Sequence, residues 1–232
     1  LTRPNIIKII CHDIGKHLGC YGVKTVNTNS IDSLAKEGIL FNNAFATSPG
    51  CSPSRAAIAT GRYPHNTGVL GLAHAHFGWS LDKKIKHIAK YFSSNDYNSI
   101  LFGLQHVTYH EETLGFKKIF PERPADHVIK NIEDNIDTIL FKKPFYAEVN
   151  FFEPHRPFDF GGVKSYRSKG VFIPKYIPNN SNIKKEFEAM QGAIKKMDES
   201  VGKIINILKK KGLNENTIII LTTDPDTYTH LT

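Results

Sequence analysis

The chemistry that this sequence offers centres on Cys51 and Arg55, the two ends of the segment CSPSR at residues 51–55. A helix is predicted over residues 54–59, which places the thiol of Cys51 at a helix N-terminus and beside a guanidinium. Both features favour the negative thiolate, so the sequence predicts a lowered pKa for this thiol. The alternative for the same cysteine is a small buried apolar side chain, and the spacing alone leaves both open.

Polar side chains also follow several predicted strands, at the point where each strand ends. They are His12 and Asp13 after the strand 6–11, His106 after 99–102, His155 after 145–152, and Asp224 after 217–223. Ligands of open α/β sheets bind at the carboxyl ends of the strands, so we expect these side chains to converge. A carboxylate such as Asp13 suits a hard cation, whereas the imidazole of His12 suits a softer metal. His12 is therefore either a ligand of a different metal or a hydrogen-bond partner of a ligand.

The segment CSPSR, followed by Thr60-Gly61-Arg62, resembles the C-x-P-S-R signature and downstream T-G-R of the sulfatase family. The resemblance implies that Cys51 is oxidised after translation to formylglycine, whose hydrate is the nucleophile and a metal ligand. It also implies that Arg55 supports this nucleophile and helps to neutralise the sulfuryl oxygens. The physical chemistry agrees, because a guanidinium fork and a helix N-terminus both suit a tetrahedral oxyanion.

Two histidine segments resemble further elements of the family. His106 closes the segment GLQH, which is similar to the family's G-K-x-H, whose lysine and histidine contact the substrate sulfate. Leu104 stands at the lysine position, so one sulfate-binding cation is lacking. His155 lies in a segment similar to the family's P-H-x-P, which implies a general acid for the departing alcohol or amine. That role requires Arg156 to be held away from the imidazole.

The metal-binding segments resemble the family with departures. The family usually carries an Asp-Asp pair as calcium ligands; Asp13 matches the second acid and His12 replaces the first. Asp224 resembles the acid of the family's T-x-D-[HN]-G, but Pro225 stands where an Asn or His ligand is expected. The resemblance thus implies a divalent cation, calcium in the family, held by Asp13, Asp224, the converted Cys51 and, if it is a ligand, His12.

The order of these elements, with Tyr21-Gly22 after the first strand and Pro64-His65 after the signature, most resembles the heparan N-sulfatase (sulfamidase) branch. This implies hydrolysis of a sulfate ester or sulfamate, with Asp224 as base and His155 or His106 protonating the leaving group. Two alternatives stay open. One is a phosphohydrolase or phosphonate hydrolase of the same superfamily, and the other is a truncated, inactive fragment or glycan-binding remnant.

The partners that the resemblance implies are a sulfated small molecule or glycan and a formylglycine-generating (sulfatase-maturating) enzyme. A net charge of +8 would attract polyanions, but the lysines lack interleaved aromatic residues, so nucleic acid is not expected. No apolar run approaches the roughly 18 residues of a membrane span. No signal peptide is visible, which predicts a cytoplasmic protein, or a periplasmic or secreted one if a signal was removed.

The elements that must position these residues alternate between strand and helix, which predicts an α/β fold with a large, mostly parallel sheet flanked by helices. Strands are predicted at residues 6–11, 39–46, 99–102, 145–152 and 217–223, and helices at 30–37, 54–59, 81–92, 126–141 and 183–208. Residues 157–178 are predicted to form a long surface loop on the substrate side. The resemblance implies an alkaline-phosphatase-like catalytic domain over residues 1–232, truncated after Asp224 and without the family's smaller C-terminal domain.

Overall fold

A computed structural model of the chain describes residues 3–139 and 144–224. Within them lies one parallel sheet with the strand order β3-β2-β4-β1-β5. The strands are β1 (Asn5–Cys11), β2 (Asn98–Gly103), β3 (Lys118–Phe120), β4 (Phe145–Asn150) and β5 (Thr217–Thr223). The predicted α/β architecture with a parallel sheet is therefore confirmed.

Helices cover both faces of this sheet. They are α1 (Asn29–Glu37), α2 (Cys51–Thr60), α3 (Ile88–Ser94), α4 (Ala125–Ile139) and α5 (Ser181–Lys210). Alternate β1 residues, Ile7, Ile9 and Cys11, join the main core, which also contains residues of α1, α4 and α5. On the opposite face, α3 packs on the sheet, where Ala89 of α3 joins Tyr146 of β4 in a small buried cluster. No helix in the described ranges is both long and apolar enough to cross a membrane.

That opposite face also buries an ion pair. Lys8 of β1 and Glu148 of β4 are register partners, and Nζ lies 2.7 Å from Oε2. Glu148 further accepts hydrogen bonds from the Tyr146 hydroxyl at 2.8 Å and from Asn150 Nδ2 at 3.2 Å. Burial raises the pKa of Glu148, but Lys8 and the other neighbours outweigh it and bring the pKa to about 2. The carboxylate therefore stays charged between the strands.

Two predicted elements are wrong. Residues 39–46 form no strand, and Ile39, Phe41 and Phe45 are exposed. The apolar run was interpreted as a strand, but none of the described strands offers it a ladder of hydrogen bonds. The helix predicted at 81–92 begins only at Ile88, because residues 82–85 make a turn and the ring of His87 caps α3 by accepting from Ala89 N. The short strand β3 was missed, since three residues are too few to show a period.

Candidate active site

The strand ends bring four of the predicted residues together. β1 lies between β4 and β5, so the segments that follow these three strands meet at one edge of the sheet. The backbone N–H of Asp13 donates to Asp224 Oδ1 at 2.9 Å. His155 Nε2 lies 3.6 Å from Asp13 Oδ2, and the ring centroids of His12 and His155 are 4.7 Å apart. The expected convergence at the carboxyl edge is therefore present.

The helix α2 delivers Cys51 and Arg55 to the same edge. Cys51 is the first residue of α2, and its side chain is buried with the rest of the first turns. Arg55 Nε donates to Asp224 Oδ2 at 2.7 Å, which ties the helix to the end of β5. The Arg55 side chain is 2% exposed, yet Nη1 and Nη2 have no hydrogen-bond partner within the described part of the chain. The free half of this guanidinium fork is suited to an anion.

The thiol of Cys51 does not have the lowered pKa that the sequence predicts. Burial and the Asp224 carboxylate raise the pKa of Cys51 to about 11, and Arg55 only partly opposes them. The prediction considered the helix N-terminus and the guanidinium but not the carboxylate, which reaches the site from a strand more than 160 residues away in sequence. At neutral pH the unmodified side chain is a thiol, which is a weak nucleophile.

Two histidines of the site are held neutral. His12 is fully buried, and its Nδ1 lies 3.4 Å from both Asp13 Oδ1 and Asp224 Oδ2. Burial lowers the pKa of His12 although Asp224 opposes the shift. Burial, followed by the charge of Arg55, lowers the pKa of His106 to about 2. His106 is therefore unprotonated at neutral pH, which argues against it as the acid for the leaving group.

Two site residues adopt a backbone conformation that is rare without glycine. Asp13 has a φ of 47° and His106 a φ of 57°, both in the left-handed region. Gln105 fixes the turn around His106, because its Oε1 accepts from Val107 N at 2.6 Å and from Thr108 N at 3.1 Å. Such strain concentrates at functional sites, where the surrounding structure enforces it. Leu104, at the position of the family's lysine, is buried and brings no cation.

The segment after β4 holds His155 at the solvent side of the site, with 35% of its side chain exposed. Arg156 Nη2 bonds to Glu186 Oε2 at 2.9 Å, so the guanidinium points to α5, as the role of His155 requires. The predicted loop 157–178 contains no α-helix or named strand. Gln191 Nε2 of α5 ties this loop down by donating to Tyr166 O and Gly170 O. Its place on the substrate side stays a prediction.

Sequence reasoning missed two residues beside His106. The ring of His74 lies 4.8 Å from the ring of His106, and Arg123 shares a cavity of about 350 Å³ with both. The other lining residues are Ala73, Gln105, Thr108, Tyr109, Glu111 and Glu112. No motif distinguishes His74 from the other histidines of the sequence. Two further histidines make other contacts, since His17 packs between Phe172 and Phe187 and His65 stacks on Tyr63.

The site offers a small set of donor atoms to a cation. Two sets of side chains each bring ligand atoms within 4.8 Å of one another: His12, Cys51 and His106, and His12, Asp13 and His155. Calcium takes six to eight oxygen ligands. In the described ranges the site carboxylates are Asp13 and Asp224, and both oxygens of Asp224 already accept hydrogen bonds. This donor set does not fit calcium, and Pro225 lies outside the described residues.

The chain is similar to known proteins of one family. A family model described as Sulfatase matches residues 4–226. N-sulphoglucosamine sulphohydrolase of Homo sapiens is 26% identical, over 96% of this chain and 51% of that protein. An ulvan-active sulfatase of Formosa agariphila is 30% identical, over 96% and 44%. The PsFucS1 sulfatase of Pseudoalteromonas sp. has the same fold, with a TM-score of 0.68 at 22% identity over 96% and 55%. The chain spans about half the length of these curated relatives.

Proposed function

Since this chain belongs to the sulfatase family, we propose that it hydrolyses a sulfate ester or sulfamate at the site formed by Cys51, Arg55 and the strand ends. One observation carries the proposal. The Arg55 guanidinium is anchored through Nε to Asp224 and keeps two buried Nη groups unpaired within the described chain, in the helix that begins with Cys51. A buried, half-free guanidinium suits the oxygens of a sulfuryl group.

Formylglycine, formed from Cys51, supplies as its hydrate the oxygen nucleophile that a buried thiol with a pKa of about 11 does not provide. Asp224 is proposed as the base, because its carboxylate acts electrostatically on position 51. Arg55 stabilises the charge that develops on the sulfuryl oxygens. Its fixed Nε bond to Asp224 means that the two Nη groups need no reorganisation during the reaction.

His155 is proposed as the acid that protonates the leaving group. Its ring lies at the solvent side of the site, where an alcohol or amine would depart, and Asp13 stands close enough to stabilise the imidazolium. His106, which stays neutral, is instead proposed to bind a sulfate oxygen through a ring N–H. The two histidines thereby take different roles although their rings both contact that of His12.

A divalent cation is proposed at Asp13, with the buried His12 as the nearest further donor, whereas His155 is left without a bond to the ion so that its ring can carry a proton. When bound, such an ion would polarise the sulfate oxygens as a Lewis acid. The family relationship supports a cation, whereas the small number of carboxylate oxygens described here does not support calcium as its identity.

We expect the substrate to be a sulfated glycan. The named relatives act on N-sulphoglucosamine and on ulvan according to their names. The cavity beside His106 supports a sugar, since it offers about 350 Å³ and polar side chains of both charge signs. Conversion of Cys51 requires a formylglycine-generating or sulfatase-maturating enzyme as a partner.

The test is to produce the chain with and without a formylglycine-generating enzyme and to measure conversion of Cys51 by peptide mass spectrometry. We expect turnover of an aryl sulfate or an N-sulfated glucosamine only with converted protein, and none with Cys51→Ala. Converted, folded protein that hydrolyses phosphonate or phosphate esters but neither sulfated substrate would support the phosphohydrolase alternative. Converted, folded protein without any turnover would support the inactive remnant.

A further inference from the structure

A sulfur atom and two imidazoles meet at the buried side of the site. The ligand atoms of His12, Cys51 and His106 all lie within 4.8 Å of one another. His12 is 0% exposed and Cys51 5%. Nε2 of His12 and Nδ1 of His106 are buried and lack a hydrogen-bond partner among the described residues, whereas Nδ1 of His12 faces the carboxylates of Asp13 and Asp224 at 3.4 Å. Buried polar atoms are rarely left in that state, so these nitrogens point to a ligand.

The type of donor decides which ligand fits. Imidazole nitrogen and thiolate sulfur are the ligands of zinc and related borderline cations, and calcium prefers oxygen. A tetrahedral zinc ion has Zn–S bonds of about 2.3 Å and Zn–N bonds of about 2.0–2.1 Å. Donors at such distances lie about 3.6 Å from one another, so the three side chains need to close by about 1 Å at most around a common ion.

We propose that the chain with unconverted Cys51 binds one zinc-class cation through the Cys51 thiolate and the imidazoles of His12 and His106. The fourth position of the ion is taken by water. The thiol loses its proton to the solvent when the Sγ–metal bond forms, so each bound ion releases one proton. Conversion of Cys51 to formylglycine removes the sulfur ligand and with it this site. The inference goes beyond the proposed function, because it concerns the form of the chain that precedes activity.

Cobalt(II) is the probe for this site, because its absorption reports the ligands. The 232-residue chain is produced without a maturation enzyme, freed of metal and titrated with cobalt under reducing conditions. We expect one ion per chain, a thiolate-to-cobalt charge-transfer band in the near ultraviolet, and displacement of cobalt by zinc. Excess calcium should leave the band unchanged. Cys51→Ser should abolish the band and weaken zinc binding at least about 100-fold, since loss of a direct ligand exceeds the effect of an outer partner.

Matched controls separate the site from other thiols and histidines. Cys20→Ser removes a half-buried free thiol outside the cluster, and His65→Asn removes a ring stacked on Tyr63. Both variants should keep the band and the affinity of the parent chain. His106→Asn should keep the sulfur band but weaken zinc binding and change the visible bands. Circular dichroism would show whether Cys51→Ser folds. If it does not, the spectra of His106→Asn and of the parent chain still test the proposal.

A parent spectrum without the sulfur band at saturating cobalt would overturn the proposal whatever the variants do. Retention of the band in Cys51→Ser, or its loss in Cys20→Ser, would place the metal at another thiol and also overturn it. These outcomes are distinct from failure of the proposed hydrolysis, which is measured as turnover by converted protein. Alkylation is a second measurement of the same site. Bound zinc covers Sγ, so a saturating amount of zinc should slow alkylation of Cys51 by a thiol reagent at least tenfold, and a chelator should restore the rate.

Discussion

At the scale of single residues, the proposed site depends on one guanidinium that binds a carboxylate through Nε and offers its two Nη groups to a substrate. Arg55 Nε binds Asp224 at 2.7 Å, and both Nη groups stay buried without a partner in the described chain. Lysine would keep the charge but has a single ammonium that cannot serve both directions. We therefore expect Arg55→Lys to lower kcat/KM for a sulfate ester about 100-fold or more, by the usual loss of a transition-state donor. Steady-state kinetics of converted protein measures this, and a loss below tenfold would contradict the two-sided role.

The different roles proposed for His155 and His106 give a second prediction. Converted His155→Ala should lose about 100-fold or more in kcat for an alkyl sulfate or a sulfamate, whose leaving group needs a proton. It should lose much less for 4-nitrophenyl sulfate, whose leaving group departs as an anion. His106→Asn is the matched control, because a residue that binds sulfate oxygens affects both substrates alike. Equal losses for both substrates in His155→Ala would exclude it as the acid.

At the scale of elements, the end of β2 depends on a glycine where the chain passes close to β4. Gly103 has a φ of 91°, and a Cβ there would lie 1.9 Å from Asn150 O. Gly22 has a similar φ of 96° with nothing within 4 Å of such a Cβ. A non-glycine residue in the left-handed conformation costs about 1 kcal/mol, and steric overlap of its Cβ with a neighbour adds about 1–3 kcal/mol. We expect Gly103→Ala to destabilise the fold by about 3 kcal/mol and Gly22→Ala by about 1 kcal/mol, measured by denaturant unfolding; equal effects would contradict this.

A buried helix cap predicts how stability depends on pH. His87 Nδ1 accepts from Ala89 N at the start of α3, and burial lowers the pKa of His87 to about 4. Because the folded pKa lies below the ordinary 6.5, the stabilisation is complete above about pH 6.5 and is lost as the pH falls towards 4. His87 alone should reduce the free energy of unfolding by roughly 2 kcal/mol between pH 7 and pH 5.

The matched variant for this prediction is His87→Asn, which keeps a side-chain oxygen for the cap but does not titrate. The fall in unfolding free energy between pH 7 and pH 5 should be smaller in the variant by roughly 2 kcal/mol. The comparison uses the change with pH rather than absolute stability, since the variant also loses the contact with Phe116. The buried His17, with a pKa lowered to about 4, contributes equally to both proteins. Parallel pH curves would contradict the assignment.

Elements also set the limit of what the sequence could predict. The strand ends that carry Asp13, His155 and Asp224 were predictable, because apolar runs and their polar endings are local. The pKa of Cys51 was not, since burial and a carboxylate from β5 decide it. The sequence does not predict the place of His74 or the Lys8–Glu148 ion pair for the same reason. These residues join the site or the core only when distant segments meet. The false strand at 39–46 shows the converse, an apolar run that lacks a partner strand.

At the scale of the whole molecule, the described sheet ends in an apolar edge. β5 pairs with β1 on one side and is the outermost described strand on the other. Ile218 and Ile220 on it are 47% and 45% exposed. An apolar edge strand with free backbone groups is a template for pairing with a second chain, and edge lysines prevent this in native proteins. We therefore expect the 232-residue chain to self-associate as its concentration rises, in sedimentation-velocity experiments.

Ile220→Lys should shift this association to at least tenfold higher concentration, because the charge must be desolvated in any strand pair at that edge. Tyr91→Lys is the control: Tyr91 is 55% exposed on α3, away from the edge, so its replacement should leave the association unchanged. Both variants add one positive charge, which cancels the effect of net repulsion from the comparison. If the two variants behave alike, or if the parent chain stays monomeric at all concentrations, β5 is not the surface through which the molecule associates.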